Sequence, residues 1–184
     1  MAPVPTVTVR LAGTRRQVEV ARALFLEYRA WLVEHREVTA FADSVLARGL
    51  LRMDQEIADL PGKYSPPRGA LFVAFADQEP IGCAALRPWD EYTAELKRLF
   101  VRTSARTRGV GRRLTARALE KAHQLGVRRV ILDTLPGMTG AISLYRTMGF
   151  QAIPAYWPNP VASALYFEYR FDDAIYVGGN PPLR

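Results

Sequence analysis

Apolar and polar residues alternate from Thr6 to Leu11, which predicts a first strand. The period then lengthens: Val18, Ala21, Leu24, Phe25, Tyr28 and Leu32 fall at helical spacing behind Thr14, a capping residue type. That helix is expected to reach about Arg36. A second helical stretch, about Phe41 to Leu60, carries Val45, Leu46, Leu50, Met53 and Ile57, with Gly49 as a break point; Pro61-Gly62 ends it and Pro66-Pro67 starts a turn. Ala70 to Ala76 is a compact apolar strand, Asp77-Gln78-Glu79-Pro80 reads as a turn, and Ile81 to Leu86 pairs back as a hairpin. Tyr92 to Val101 is a further strand. Gly109 opens a helix that reaches Leu125, with Gly126 at the position of a C-terminal cap. Val130-Ile131-Leu132 is short and wholly apolar, as a strand buried on both faces requires. A helix from Thr139 to Met148 stops at Gly149, and Ala164 to Phe171 is the last strand. The order predicts a mixed α/β sheet with a crossover unit in its second half.

The 184 residues suit one domain with a sizeable core: a strand and two helices over 1–68, a core over 69–171 and a tail over 172–184. No apolar run approaches the ~20 residues of a membrane helix, and the start of the chain has no secretory pattern, so a soluble cytoplasmic protein is expected. The single cysteine, Cys83, lies in an apolar run and reads as a buried thiol. The net charge is +7, and one block stands out. From Arg102 to Arg129, Arg102, Arg106, Arg108, Arg112, Arg113, Arg117, Lys121, Arg128 and Arg129 face a single acid, Glu120. Such a block favours an anionic ligand. It lacks the interleaved aromatics that stack on nucleic-acid bases, and no nucleic-acid or membrane partner is expected. No His, Cys and carboxylate cluster has metal-ligand spacing, and His35 and His123 read as a helix-end and a surface residue.

The candidate chemistry lies in the turn Arg106-Thr107-Arg108-Gly109-Val110-Gly111-Arg112, between a strand and a helix. N–H groups at a helix start have no partner within the helix, and the helix dipole puts partial positive charge there, so a phosphate can accept several of them. Two glycines let the backbone approach closely. The dinucleotide fingerprint fails because its third glycine is missing, and no Gly-Lys-Ser/Thr follows to make a P-loop.

Arg106-x-x-Gly109-x-Gly111 resembles the (Gln/Arg)-x-x-Gly-x-(Gly/Ala) motif of the GNAT acetyltransferase superfamily. The resemblance includes Glu95-Leu-Lys-Arg-Leu-Phe-Val101, Leu132-Asp-Thr-Leu135 and Leu144-Tyr-Arg-Thr-Met-Gly-Phe150, covering about Leu71 to Phe171. It implies that family's fold, with strands splayed after Val101 and Leu135, and acetyl-CoA as acyl donor. Leu99, Phe100 and Val101 would then line the pantetheine arm, and the amides from Arg106 to Arg112 would cradle the pyrophosphate. Where many members have Asn at the start of the second block, this chain has Met138-Thr139-Gly140.

The same resemblance implies Glu95 as general base and Tyr145 as general acid toward the CoA sulfur. Pairing of Glu95 with Lys97 or Arg98 is the structural alternative, and Asp90, Glu91 and Asp133 are weaker candidates. Tyr156 and Asn159, on the segment from Pro154 to Val161, are the expected acceptor contacts, while Glu34, Glu37 and Asp43 could attract a cationic amine. The acceptor stays open between a small amine, an amino acid, an antibiotic and a protein lysine. Homodimers are common in the family. A CoA-binding sensor or scaffold without catalysis is the alternative function.

Overall fold

The computed structural model describes residues 6–35 and 43–171. Arg36, Glu37, Phe41 and the tail 172–184 lie outside the described residues, as does the side chain of Asp43. A seven-stranded mixed sheet runs in the order β1-β2-β3-β4-β5-β7-β6. Its strands are β1 (Val7–Leu11), β2 (Ala70–Ala76), β3 (Glu79–Pro88), β4 (Thr93–Val101), β5 (Arg129–Thr134), β6 (Gln151–Ile153) and β7 (Leu165–Arg170). Among the described residues four α-helices cover it: α1 (Arg15–Glu34), α2 (Asp43–Ala58), α3 (Val110–Gln124) and α4 (Thr139–Thr147).

Each helix is bounded by the chemistry expected of it. At α1, the Thr14 hydroxyl accepts from the Gln17 N–H at 3.3 Å while the Gln17 side chain accepts from the Thr14 N–H at 2.9 Å, a reciprocal capping box. Gly126 and Gly149 take positive φ where α3 and α4 end. The helix α2 runs unbroken through Gly49, whose neighbours Leu50 and Met53 continue its apolar side.

Two differences from the sequence pattern concern the sheet. Glu79 and Pro80 belong to β3 rather than to a turn, because Ala76 pairs directly with Glu79 and closes the hairpin tightly. The short strand β6 escapes the pattern because three residues show no period; it pairs with β7, which inserts between it and β5.

The alternating strand residues feed two cores. Phe72, Leu86, Leu96, Val130 and Leu132 pack with Leu114, Ala118 and Ala122 of α3, while Leu71, Val73, Ala85 and Phe100 pack with Leu24 and Phe25 of α1 and Met53 and Ile57 of α2. Cys83 is fully buried in the second core. His123 is half-buried rather than on the open surface, its ring 5.2 Å from that of Phe171.

Candidate active site

Two irregularities open the middle of the sheet. On one side of β4, Phe100 pairs with Cys83 and Lys97 with Ala85, so Arg98 and Leu99 oppose Ala84 alone. This is a β-bulge, and Arg98 adopts φ 59° to make it. The extra residue keeps Leu99 and Val101 packed on the same core as Ala94 and Leu96. On its other side β4 pairs with β5 only from Thr93 to Glu95, against Arg129 to Ile131. Beyond Glu95 the two parallel strands part, and β4 carries an unpaired edge along a cavity of about 930 Å³.

The start of α3 closes the same cavity. Gly109 caps the helix with φ 73°, a left-handed conformation that an L side chain rarely adopts, and it offers no side chain to the helix N–H groups. The first intrahelical bond at this end is Arg113 N–H to the Gly109 carbonyl at 3.1 Å, so the amides of Val110, Gly111 and Arg112 point onward without helix partners. No acid stands in the first turn. A Cβ at Gly111 would meet Leu144 Cδ2 at 3.2 Å, which ties this turn closely to α4. Leu99, Phe100, Val101, Arg106, Thr107, Gly109, Val110, Gly111 and Arg112 all line the cavity.

Arg108 is exposed and does not line it. Arg106 does, but its guanidinium lies 4.9 Å from the Trp31 ring centroid and donates to the Val101 carbonyl at 3.2 Å. The basic block is less free than its composition suggests. Arg102 forks onto Glu27 at 2.6 and 2.7 Å and also reaches Glu79, Arg117 pairs with Glu120, and Arg112 donates to Thr147.

Tyr145 stands on the cavity wall from α4, nearly buried, with Phe150 and Phe167 at ring distances of 5.5 and 6.2 Å. Burial pushes its phenol well above the ordinary tyrosine range, with Tyr28 and Asp133 adding to the effect. It therefore holds its proton throughout the neutral range.

Glu95 is placed differently. Its carboxylate is fully buried and does not line the cavity. It pairs with Arg87, accepts from the Tyr156 hydroxyl at 2.8 Å and lies 3.5 Å from Lys97 Nζ. The expected pairing with Lys97 is present. Arg98 turns instead to Glu56 on α2, with contacts of 2.6 and 3.1 Å. Among the described residues, Asp133 is the carboxylate on the wall; Lys97 donates to it at 2.8 Å and Asn159 at 2.9 Å. Tyr156 reaches Glu95 behind the wall, where burial, and then Glu95 itself, raise its pKa. Asp90 and Glu91 sit before β4 with Arg68 on their carbonyls, and neither lines this cavity. Glu34 is exposed at the end of α1.

Several wall residues carry little sequence signal. Tyr28 falls on the apolar stripe of α1 and reads as core, yet it lines the cavity, with its ring 5.5 Å from Phe100. Lys97 and Trp157 have no motif around them. The bulge does have one: Leu96 and Leu99, three apart in a strand, break the two-residue period, which is what an inserted residue produces.

Comparison with known proteins agrees with this geometry. The model of the "Acetyltransferase (GNAT) family" matches residues 20–150. An uncharacterised N-acetyltransferase of Schizosaccharomyces pombe is 33% identical over 116 residues, covering 62% of this chain and 71% of that protein. The uncharacterised N-acetyltransferase YjgM of Escherichia coli is 27% identical over 121 residues, 64% and 72% of the two chains. Among solved structures, the PaiA N-acetyltransferase of Thermoplasma acidophilum in complex with coenzyme A superposes with a TM-score of 0.68 at 16% identity, over 90% of this chain and 99% of that one. The chain belongs to the GNAT acetyltransferase family.

Proposed function

We propose that the protein transfers an acetyl group from acetyl-CoA to a primary amine, by direct attack while both substrates are bound. One observation carries this reading: two sets of unpaired backbone groups, the first turn of α3 and the edge of β4 beyond Glu95, face one cavity. The first suits a pyrophosphate, because open N–H groups and the helix dipole both favour an anion. The second suits an extended arm that adds to the sheet like a strand. When bound, acetyl-CoA supplies a thioester carbonyl.

The chain's own residues must orient the amine and manage two protons. A C–N bond forms and a C–S bond breaks; the amine gives up a proton and the departing thiolate gains one. Tyr145 holds its phenolic proton on the cavity wall and is the donor to the sulfur. The amine's proton passes to Asp133, the carboxylate on the same wall, and from there to solvent. Glu95 is a positioning residue in this reading: it fixes Lys97, which holds Asp133, and it anchors Tyr156.

Calorimetric titration with acetyl-CoA, followed by thiol release across an amine panel, tests the proposal. Micromolar binding, about −8 kcal/mol, with amine-dependent thiol release is expected. The absence of acetyl-CoA binding overturns the reading. To separate the two carboxylates, Asp133→Asn should lower kcat about 10²-fold with acetyl-CoA affinity unchanged, whereas Glu95→Gln, which touches neither substrate, should lower it by a smaller factor.

A further inference from the structure

A second cavity, of about 580 Å³, lies beside β4 on the α2 side. It shares Arg52, Lys97, Arg98 and Trp157 with the cofactor cleft, so the two spaces meet across one short strip of β4. That strip contains the bulge, where an amine must arrive. The second cavity thus borders the strip an acceptor has to reach, and its charge bears on what can approach.

Its cations are Arg52, Lys63, Arg87, Lys97 and Arg98, against two lining acids, Glu56 and Asp59. The ion pairs are arranged with their negative ends inward. The side chains of Glu95, Glu56 and Asp133 are 0%, 6% and 15% exposed, while their partners Lys97, Arg98, Arg87 and Lys63 are 17%, 20%, 27% and 41% exposed. An entering molecule thus meets the outer faces of paired cations. Arg52 has no charged partner or hydrogen bond among the described residues, and it stands exposed where the two cavities join. Asp59, exposed near Gly62, is the one acid presented to solvent on this wall among the described residues. Even with Glu95 and Asp133 counted, the five cations exceed the four carboxylates by one.

We infer that the acceptor is a small amine that carries a carboxylate, in the manner of an amino acid, with the carboxylate held by Arg52 near the junction and the amine delivered to the bulge of β4. The inference rests on the acetyltransferase reading of the same site. A polycationic acceptor would face like charge along most of the entry wall, a costly juxtaposition, while a carboxylate finds a free guanidinium that can grip it through two bonds.

The test compares acceptors matched except for charge: alanine with alaninamide and with 1,2-diaminopropane, and leucine with leucinamide, each assayed by thiol release from acetyl-CoA. The carboxylate-bearing member of each set should show at least a tenfold higher kcat/KM. Arg52→Gln, an exposed helix position that folding tolerates, should raise KM for alanine about tenfold and reduce its preference over alaninamide. Faster transfer to the amide or the diamine, equal rates within each set, transfer to none of them, or an unchanged preference in Arg52→Gln overturns the inference. Calorimetric binding of acetyl-CoA to the unaltered protein separates the levels. If it binds, such an outcome rejects only the acceptor assignment; if it does not, the transferase reading fails first.

Discussion

Replacing Glu56 with Gln probes the contact that locks α2 to the bulge of β4. The carboxylate accepts from both nitrogens of the Arg98 fork at 2.6 and 3.1 Å, from the Tyr64 hydroxyl at 2.9 Å, and pairs with Lys63. Its side chain is 6% exposed. Burial alone would raise its pKa, but Arg98 and then Lys63 outweigh burial and bring it from 4.5 to about 2. A depression of that size corresponds to about 3 kcal/mol of folded-state stabilisation. Because the folded pKa lies below the unfolded one, the contribution is complete above about pH 4.5 and is lost as pH falls toward about 2. Roughly half of it should be left at pH 3.

Glutamine keeps the shape and one acceptor but leaves the Arg98 charge without its counter-charge, the costly way to break a buried pair. Urea unfolding at pH 7 should show the variant about 3 kcal/mol less stable than the parent, with the gap narrowing to roughly half at pH 3. Turnover offers a second readout. Arg98 carries the positive φ of the bulge, so a loosened guanidinium should lower kcat more than it weakens acetyl-CoA binding. A gap below about 1 kcal/mol, or one that is the same at both pH values, would refute the assignment of Glu56 as the charged anchor.

Three further outcomes follow from the same geometry. Tyr145→Phe should lower kcat about 10²-fold, within the usual range for a lost general acid, while calorimetry finds acetyl-CoA affinity within about twofold; unchanged kcat would remove Tyr145 from proton donation. Gly109→Asp places a Cβ at φ 73° and a negative charge before the open amides of α3, so acetyl-CoA binding should weaken more than tenfold, about 1.4 kcal/mol, and equal affinity would remove the α3 turn from the cofactor site. Thr14→Ala removes the hydroxyl half of the capping box and should cost about 1 kcal/mol in urea unfolding with kcat unaltered; a change in turnover instead would show that α1 senses its cap at the active site.

Much of the fold is legible in the chain because single periods govern single elements. Ala70 to Ala76 is apolar throughout and forms a strand with those bounds, flanked by a core on each face. Val18, Ala21, Leu24, Phe25 and Leu32 are the buried stripe of α1. Glycines gave the ends of α3 and α4 because positive φ excludes most other residues. What the pattern loses is whatever depends on a partner distant in sequence. The strand β6 exists because β7 supplies its hydrogen bonds, and three residues cannot announce that alone.

The site divides along the same line. Groups that act through the backbone could be read, since Arg106-x-x-Gly109-x-Gly111 specifies its own conformation and that conformation aims its amides. Groups that act through side chains could be named but not placed. Glu95, Asp133, Lys97 and Tyr156 belong to β4, β5 and the segment after β6, and the bonds from Lys97 to Asp133 and from Tyr156 to Glu95 span 36 and 61 residues of sequence. Whether Glu95 or Asp133 faced the cavity depended on where β4 and β5 part. The parting falls just beyond Glu95, and it leaves one carboxylate sealed behind the pairing and the other on the open wall. The bulge three residues later adds an asymmetry, because it turns Arg98 toward α2 and Glu56 while Leu99 and Val101 stay packed toward α3. One inserted residue thus allows β4 to present an unpaired edge to the larger cavity and a cation to the α2 side. That explains why α2, a helix with no recognisable motif, is fastened by an ion pair to the bulge that borders the cavity.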